Sequence, residues 1–129
     1  MTAKGPLKIL VADDEVAVRE LVKRCLDEPR FDVLEAASGE DALRQAGSAA
    51  ALDLLITDEM MPGIHGHELA RQLRAKNADL NVLYLTGFSD RLFDAKSTMW
   101  EHEAYLDKPF TPKGLLEAIS LLLFNRLAF

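Results

Sequence analysis

The chain of 129 residues is poor in several things, and each shortage narrows what it can be. It has one cysteine, Cys25, so no internal disulfide can form. Cys25 falls in the stripe Val18, Leu21, Val22, Cys25, Leu26, whose helical spacing predicts a buried small hydrophobe rather than a redox-sensing thiol. Positive charge is also scarce: 15 Lys and Arg against 21 Asp and Glu give a formal net charge of −6. Nonspecific affinity for nucleic acid or anionic lipid needs clustered cations, so no direct nucleic-acid contact and no membrane contact are expected. No apolar run approaches the length of a bilayer span, and Met1 to Pro6 lacks the apolar core of a signal peptide, so a cytoplasmic protein is expected. Low-complexity segments and internal repeats are missing. A glycine-rich first strand-to-helix turn is missing too. Ala12-Asp13-Asp14-Glu15 stands there instead, which disfavours a dinucleotide-binding fold because acids would repel a phosphate without a metal.

What is present is apolar sequence, 49% of the chain, enough for one core. The expected organisation is a flexible leader over 1–6 and one domain over 7–129. Leu7 to Ala12 reads as a strand, and Glu15 to Asp27 follows as a helix that Pro29 ends. Phe31 to Ala36 is a second, more polar strand, with a short helix opening at Ser38-Gly39-Glu40 and closing near Gly47. Leu52 to Thr57 is the third strand, followed past the turn at Met61-Pro62-Gly63 by a helix from about Gly66 to Lys76. Val82 to Leu85 is the fourth strand, Ser89 to about Met99 a weaker helix, and Ala104 to Leu106 a short fifth strand. Pro112 to about Arg126 is a strong final helix with its proline in the first turn. Five βα units imply an α/β fold with a parallel sheet covered on both faces. The most continuously apolar runs belong in the middle, so strands two and five are the edges. The flavodoxin-like doubly wound order 2-1-3-4-5 fits.

In that arrangement Asp13, Asp14 and Asp58 each follow an apolar run, and Lys108 follows another. All four fall at the carboxyl edge of the sheet, where open α/β folds bind ligands. Carboxylates that close repel one another unless a cation sits between them, which predicts a divalent metal.

The chain resembles the receiver domain of bacterial two-component response regulators, of which the single-domain chemotaxis regulator is an example. The resemblance runs from about Leu7 to Leu127. It rests on Val11-Ala12-Asp13-Asp14-Glu15, Ile56-Thr57-Asp58-Glu59-Met60-Met61-Pro62-Gly63, Tyr84-Leu85-Thr86-Gly87 and Tyr105-Leu106-Asp107-Lys108-Pro109-Phe110. It implies that Asp58 is the phosphoacceptor, attacking the phosphohistidine of a sensor histidine kinase or histidine phosphotransfer protein. It implies Mg²⁺ held by Asp13, Asp14, Asp58 and the backbone carbonyl of Met60. Lys108 matches the lysine that pairs with a phosphoryl oxygen, and Pro109 a position where the family commonly has a cis peptide bond. Thr86 matches the switching hydroxyl, and Tyr105 the aromatic residue that moves with it. Only self-catalysed phosphorylation and dephosphorylation are implied, not an enzyme with a separate substrate. Output is expected through a downstream protein target bound at the face of the fourth helix, fifth strand and final helix.

One departure is visible, since Trp100-Glu101-His102-Glu103-Ala104 replaces the Gly-Ala pair usual before Tyr105. On the final helix Leu115, Ile119 and Leu122, with Leu116 and Leu123, make a core stripe that leaves Leu121 and Phe124 off it. With Trp100, these two are expected to form a docking or homodimer surface, against the plainer reading that they finish the core. His65 and His67 are expected on the surface, because two ligands on a loop make a poor zinc site.

Competing readings are a phosphatase of the haloacid dehalogenase type and an interaction module without phosphoryl chemistry. The first needs an acid two residues after the nucleophile, where this chain has Met60. The second has no use for the full set Asp13, Asp14, Asp58, Thr86 and Lys108. With no output domain expected after the final helix, a stand-alone receiver is the expectation, with a relay receiver from a hybrid kinase as the alternative.

Overall fold

The computed structural model describes residues 5–48, 51–87 and 102–124. Its elements alternate: β1 (Leu7–Ala12), α1 (Val16–Cys25), β2 (Phe31–Ala36), α2 (Gly39–Ser48), β3 (Leu54–Asp58), α3 (Gly66–Arg74), β4 (Asn81–Thr86), β5 (Glu103–Asp107) and α4 (Pro112–Phe124). The helix expected at Ser89 to Met99, and Trp100 after it, lie outside the described residues. All five strands join one parallel sheet in the order β2-β1-β3-β4-β5, the flavodoxin-like arrangement. Among the described residues no helix is long and apolar enough to cross a membrane.

The central strands are apolar along their middles because they feed two cores. Side chains alternate across a strand. Ile9, Val11, Leu54, Ile56, Leu83 and Leu85 face one way, with Val22 of α1 and Leu115 and Ile119 of α4. Leu10, Ala12, Leu55, Val82 and Tyr84 face the other, with Ala42 of α2 and Leu69 and Ala70 of α3. Both faces of β1, β3 and β4 are largely buried, as a doubly covered parallel sheet requires.

The strands depart from their apolar runs at polar ends. β3 starts two residues later than Leu52, because Asp53 is occupied at the strand entrance. There its carboxylate accepts the Lys8 N–H at 2.8 Å, and its own N–H donates to the Lys8 carbonyl at 2.8 Å. β4 and β5 are longer than expected, because the ladder continues through polar residues such as Asn81, opposite Leu54, and Thr86, opposite Asp107. Cys25 is half-buried against the second core rather than sealed in it, and burial pushes its thiol pKa up. Phe124, expected on an outward surface, packs instead against that core with the Arg30 guanidinium 5.9 Å from its ring centre. Leu121 does point outward, 53% exposed.

Candidate functional site

β1 and β3 are neighbours with Ala12 opposite Thr57, so the residues that follow, Asp13 and Asp58, meet at the carboxyl edge. Asp13 is fully buried, Asp58 is 6% exposed and Asp14 faces solvent. One oxygen from each of the three lies within 4.8 Å of the others. Lys108, just past β5, reaches across to Asp13 at 3.0 Å, Glu15 at 3.1 Å and Asp58 at 3.5 Å.

The backbone around the acids is fixed by local hydrogen bonds. Asp13 Oδ1 accepts the Glu15 N–H at 2.9 Å, and Arg19 donates to the Asp13 carbonyl at 2.7 Å. The helix cap itself is Glu15, so Asp13 is not simply a capping residue. Asp58 Oδ1 accepts the Met60 N–H at 3.2 Å, and the Thr57 hydroxyl donates to the Asp58 carbonyl at 3.0 Å. Gly66, the first residue of α3, presses on the same backbone: a Cβ there would stand 2.5 Å from the Asp58 carbonyl oxygen. Only glycine fits that approach.

Burial and the neighbouring Asp13 push the Asp58 carboxyl up to about 6, although Lys108 and the Met60 N–H pull the other way. Burial raises Asp13 as well, against the Glu15 N–H and Lys108. For Lys108 burial works against the charge, but Asp13, Glu15 and Asp58 outweigh it and its pKa rises. One ammonium therefore serves more carboxylate than it can balance. The cleft beside it, about 340 Å³, is lined by Asp14, Glu15, Asp58, Met60, Gly87 and Lys108. Surplus negative charge, oxygen donors and open space suit a hard divalent cation.

The other expected site residues are placed as follows. Thr86 ends β4, fully buried, and its carbonyl accepts the Lys108 N–H at 2.9 Å, tying the ends of β4 and β5 together. Tyr105 stands opposite Tyr84 on β5, 44% exposed. The Lys108–Pro109 peptide is cis. Two acids had escaped the sequence reading. Glu15 joins Lys108, and Glu59, directly after Asp58, is buried and bonded to His67.

Comparison with known proteins agrees with this geometry. Residues 9–120 match the family described as the response regulator receiver domain. The transcriptional regulatory protein ResD of Bacillus subtilis is 34% identical over 95% of this chain and 50% of its own length. The response regulator MprA of Mycolicibacterium vanbaalenii is 38% identical over 92% of this chain and 51% of its own. The chain thus spans about half the length of the curated relatives it matches. Among solved structures, the response regulator TrrA of Thermotoga maritima, in complex with Mg²⁺ and BeF, superposes with a TM-score of 0.77 at 37% identity, covering 91% of this chain and 99% of that one. The chemotaxis response regulator CheY4 of Vibrio cholerae gives 0.79 at 29% identity, covering 92% and 99%. The receiver domain of the hybrid histidine kinase CckA gives 0.74 at 35%, covering 90% and 98%. The strand order, the acidic pocket and these likenesses converge: the chain belongs to the response regulator receiver domain family of two-component signal transduction.

Proposed function

We propose that Asp58 accepts a phosphoryl group from a phosphohistidine of a sensor histidine kinase or histidine phosphotransfer protein, in the cytoplasm, and that the resulting aspartyl phosphate changes how a partner protein is bound. The observation that carries this reading is Asp58 at a cleft that it lines with Asp14 and Lys108, beside the buried Asp13. With its pKa near 6, Asp58 is ionised about ten to one at pH 7, so the nucleophile is available. Its oxygen forms the new bond to phosphorus as the phosphorus–nitrogen bond of the donor breaks, the electron pair leaving with the imidazole.

Asp13, Asp14, Asp58 and the Met60 carbonyl would hold Mg²⁺, whose contribution is to orient the phosphoryl group and neutralise its oxygens. Lys108 leaves its carboxylates to pair with a phosphoryl oxygen. Thr86 supplies a hydroxyl from the end of β4. Tyr105, on an edge strand, carries the change towards Leu121 on α4. Phosphorylation and loss of phosphate at Asp58 are then the domain's own chemistry, with no separate substrate turned over.

The test is treatment with acetyl phosphate or beryllofluoride and Mg²⁺. An adduct on the wild-type chain and none on Asp58→Asn is expected; no adduct on either would favour a phosphorylation-independent interaction module. A relay role is the second reading, favoured by the likeness to a hybrid-kinase receiver. Rapid phosphoryl transfer from this chain to a histidine phosphotransfer protein would select it over partner switching.

A further inference from the structure

Glu59 is an unusual buried acid. Its side chain is 2% exposed, yet no lysine or arginine pairs with it among the described residues; its partners come from His67. One carboxylate oxygen accepts the His67 N–H at 2.8 Å, and the other lies 2.6 Å from His67 Nδ1. His65, which precedes the first turn of α3 and makes no capping bond, brings its ring centre to 6.2 Å from that of His67. One donor atom from each of Glu59, His65 and His67 lies within 4.8 Å of the others. The backbone holds the group together, since the Gly66 N–H donates to the Glu59 carbonyl at 3.0 Å.

We propose that Glu59, His65 and His67 form a binding site for a divalent transition metal of the zinc class, separate from the acidic cleft. Two imidazoles and one carboxylate are a donor set that zinc takes with a fourth position left to water. The same set is a poor one for Mg²⁺, which prefers oxygen alone. Tetrahedral zinc with bonds of about 2.0–2.2 Å spaces its ligands about 3.4 Å apart. The Glu59–His67 pair must open slightly and His65, exposed and at the end of a loop, must swing in. The metal would then take the place of the hydrogen bond that now joins Glu59 to His67, and would neutralise a carboxylate that burial otherwise leaves leaning on one imidazole. The histidine pair in the sequence lacks a third ligand, and folding supplies it from six residues upstream.

The test is competition for Zn²⁺ between the tag-free chain and a chromophoric indicator, with Mg²⁺ saturating. One zinc per chain is expected. His65→Ala, which removes an exposed ring without touching the core, and His67→Ala should each weaken binding by at least about tenfold. Asp14→Asn and His102→Ala should leave it unchanged. No zinc taken from the indicator by the wild-type chain, or unchanged affinity in both histidine variants, overturns the proposal. Zinc binding lost in Asp14→Asn but kept in His65→Ala would assign the metal to the acidic cleft and overturn it equally.

Discussion

Two places in this molecule bury charge beside the same sheet, and they do so in opposite ways. At the end where β4 and β5 begin, Arg74 meets Glu103 at 2.9 Å, with the pair 9% and 1% exposed. Arg74 also donates to the carbonyls of Leu80 and His102, and the Tyr84 hydroxyl adds a bond to Glu103 at 3.2 Å. At the carboxyl end, Lys108 faces Asp13, Glu15 and Asp58 together. Among the described residues the first set pairs a cation with an anion and ties α3 to β5. The second is left short of positive charge, and there burial raises the pKa values of Asp13 and Asp58, with the Asp13 charge adding to the effect at Asp58. Balanced buried charge holds a fold in register, whereas unbalanced buried charge is a standing affinity for whatever cation arrives.

The largest effect should come from breaking the balanced end. Arg74→Ala takes the guanidinium away from a buried Glu103, and urea unfolding should show a loss of about 3–5 kcal/mol. A loss below about 1 kcal/mol, typical of surface pairs, would erase the contrast.

At the unbalanced end the sign reverses. The folded pKa of Asp58, about 6, lies above its ordinary 3.8. Its stabilising protonated form is fully present below the ordinary value and is lost as pH rises through 6. Without a divalent cation, this group alone should lower stability by roughly 2–3 kcal/mol between acidic and neutral pH. Asp58→Asn should flatten that slope and stabilise the metal-free chain at pH 7, as pH-dependent melting would reveal.

Mg²⁺ should restore what repulsion removes. At about 100 times its dissociation constant, a ligand of the folded state alone adds about 2.7 kcal/mol. The thermal shift on adding Mg²⁺ should be clear in the wild-type chain and largely abolished in Asp13→Asn. An equal shift in both would detach the cation from this cleft.

The smallest effect concerns His102, which holds a left-handed backbone with φ of 65° just before β5. That conformation costs a non-glycine residue about 1–2 kcal/mol, offset in part by the contact of its ring with Asn81 at 3.2 Å. His102→Gly should therefore stabilise by up to about 1 kcal/mol in urea unfolding, sharpening the balanced end rather than breaking it.

The architecture was readable because apolar runs such as Leu7 to Ala12 feed two cores at once, leaving little alternative to a covered parallel sheet. The convergence of Asp13, Asp58 and Lys108 was readable for the same reason, since strand ends in a parallel sheet share an edge. What escaped was set by contacts distant in sequence. Nothing in the periodicity of α4 separates Leu121, which is exposed, from Phe124, which turns under Arg30. Nothing local to His65 and His67 announces that Glu59 will be folded against them. Pattern reports which face a residue takes, while pairing between polar groups depends on geometry that only the assembled chain possesses.

The glycine that opens α3 has a practical consequence. Because a methyl group at Gly66 would collide with the carbonyl of Asp58, Gly66→Ala must shift the backbone that carries this carboxylate while removing no ionisable group from the cleft. Set beside Asp58→Asn, which alters charge and leaves shape nearly intact, it gives a matched pair of variants with which to test the proposed phosphoacceptor. A biologist following the signal could then ask whether partners recognise the pocket's electrostatics or its contour.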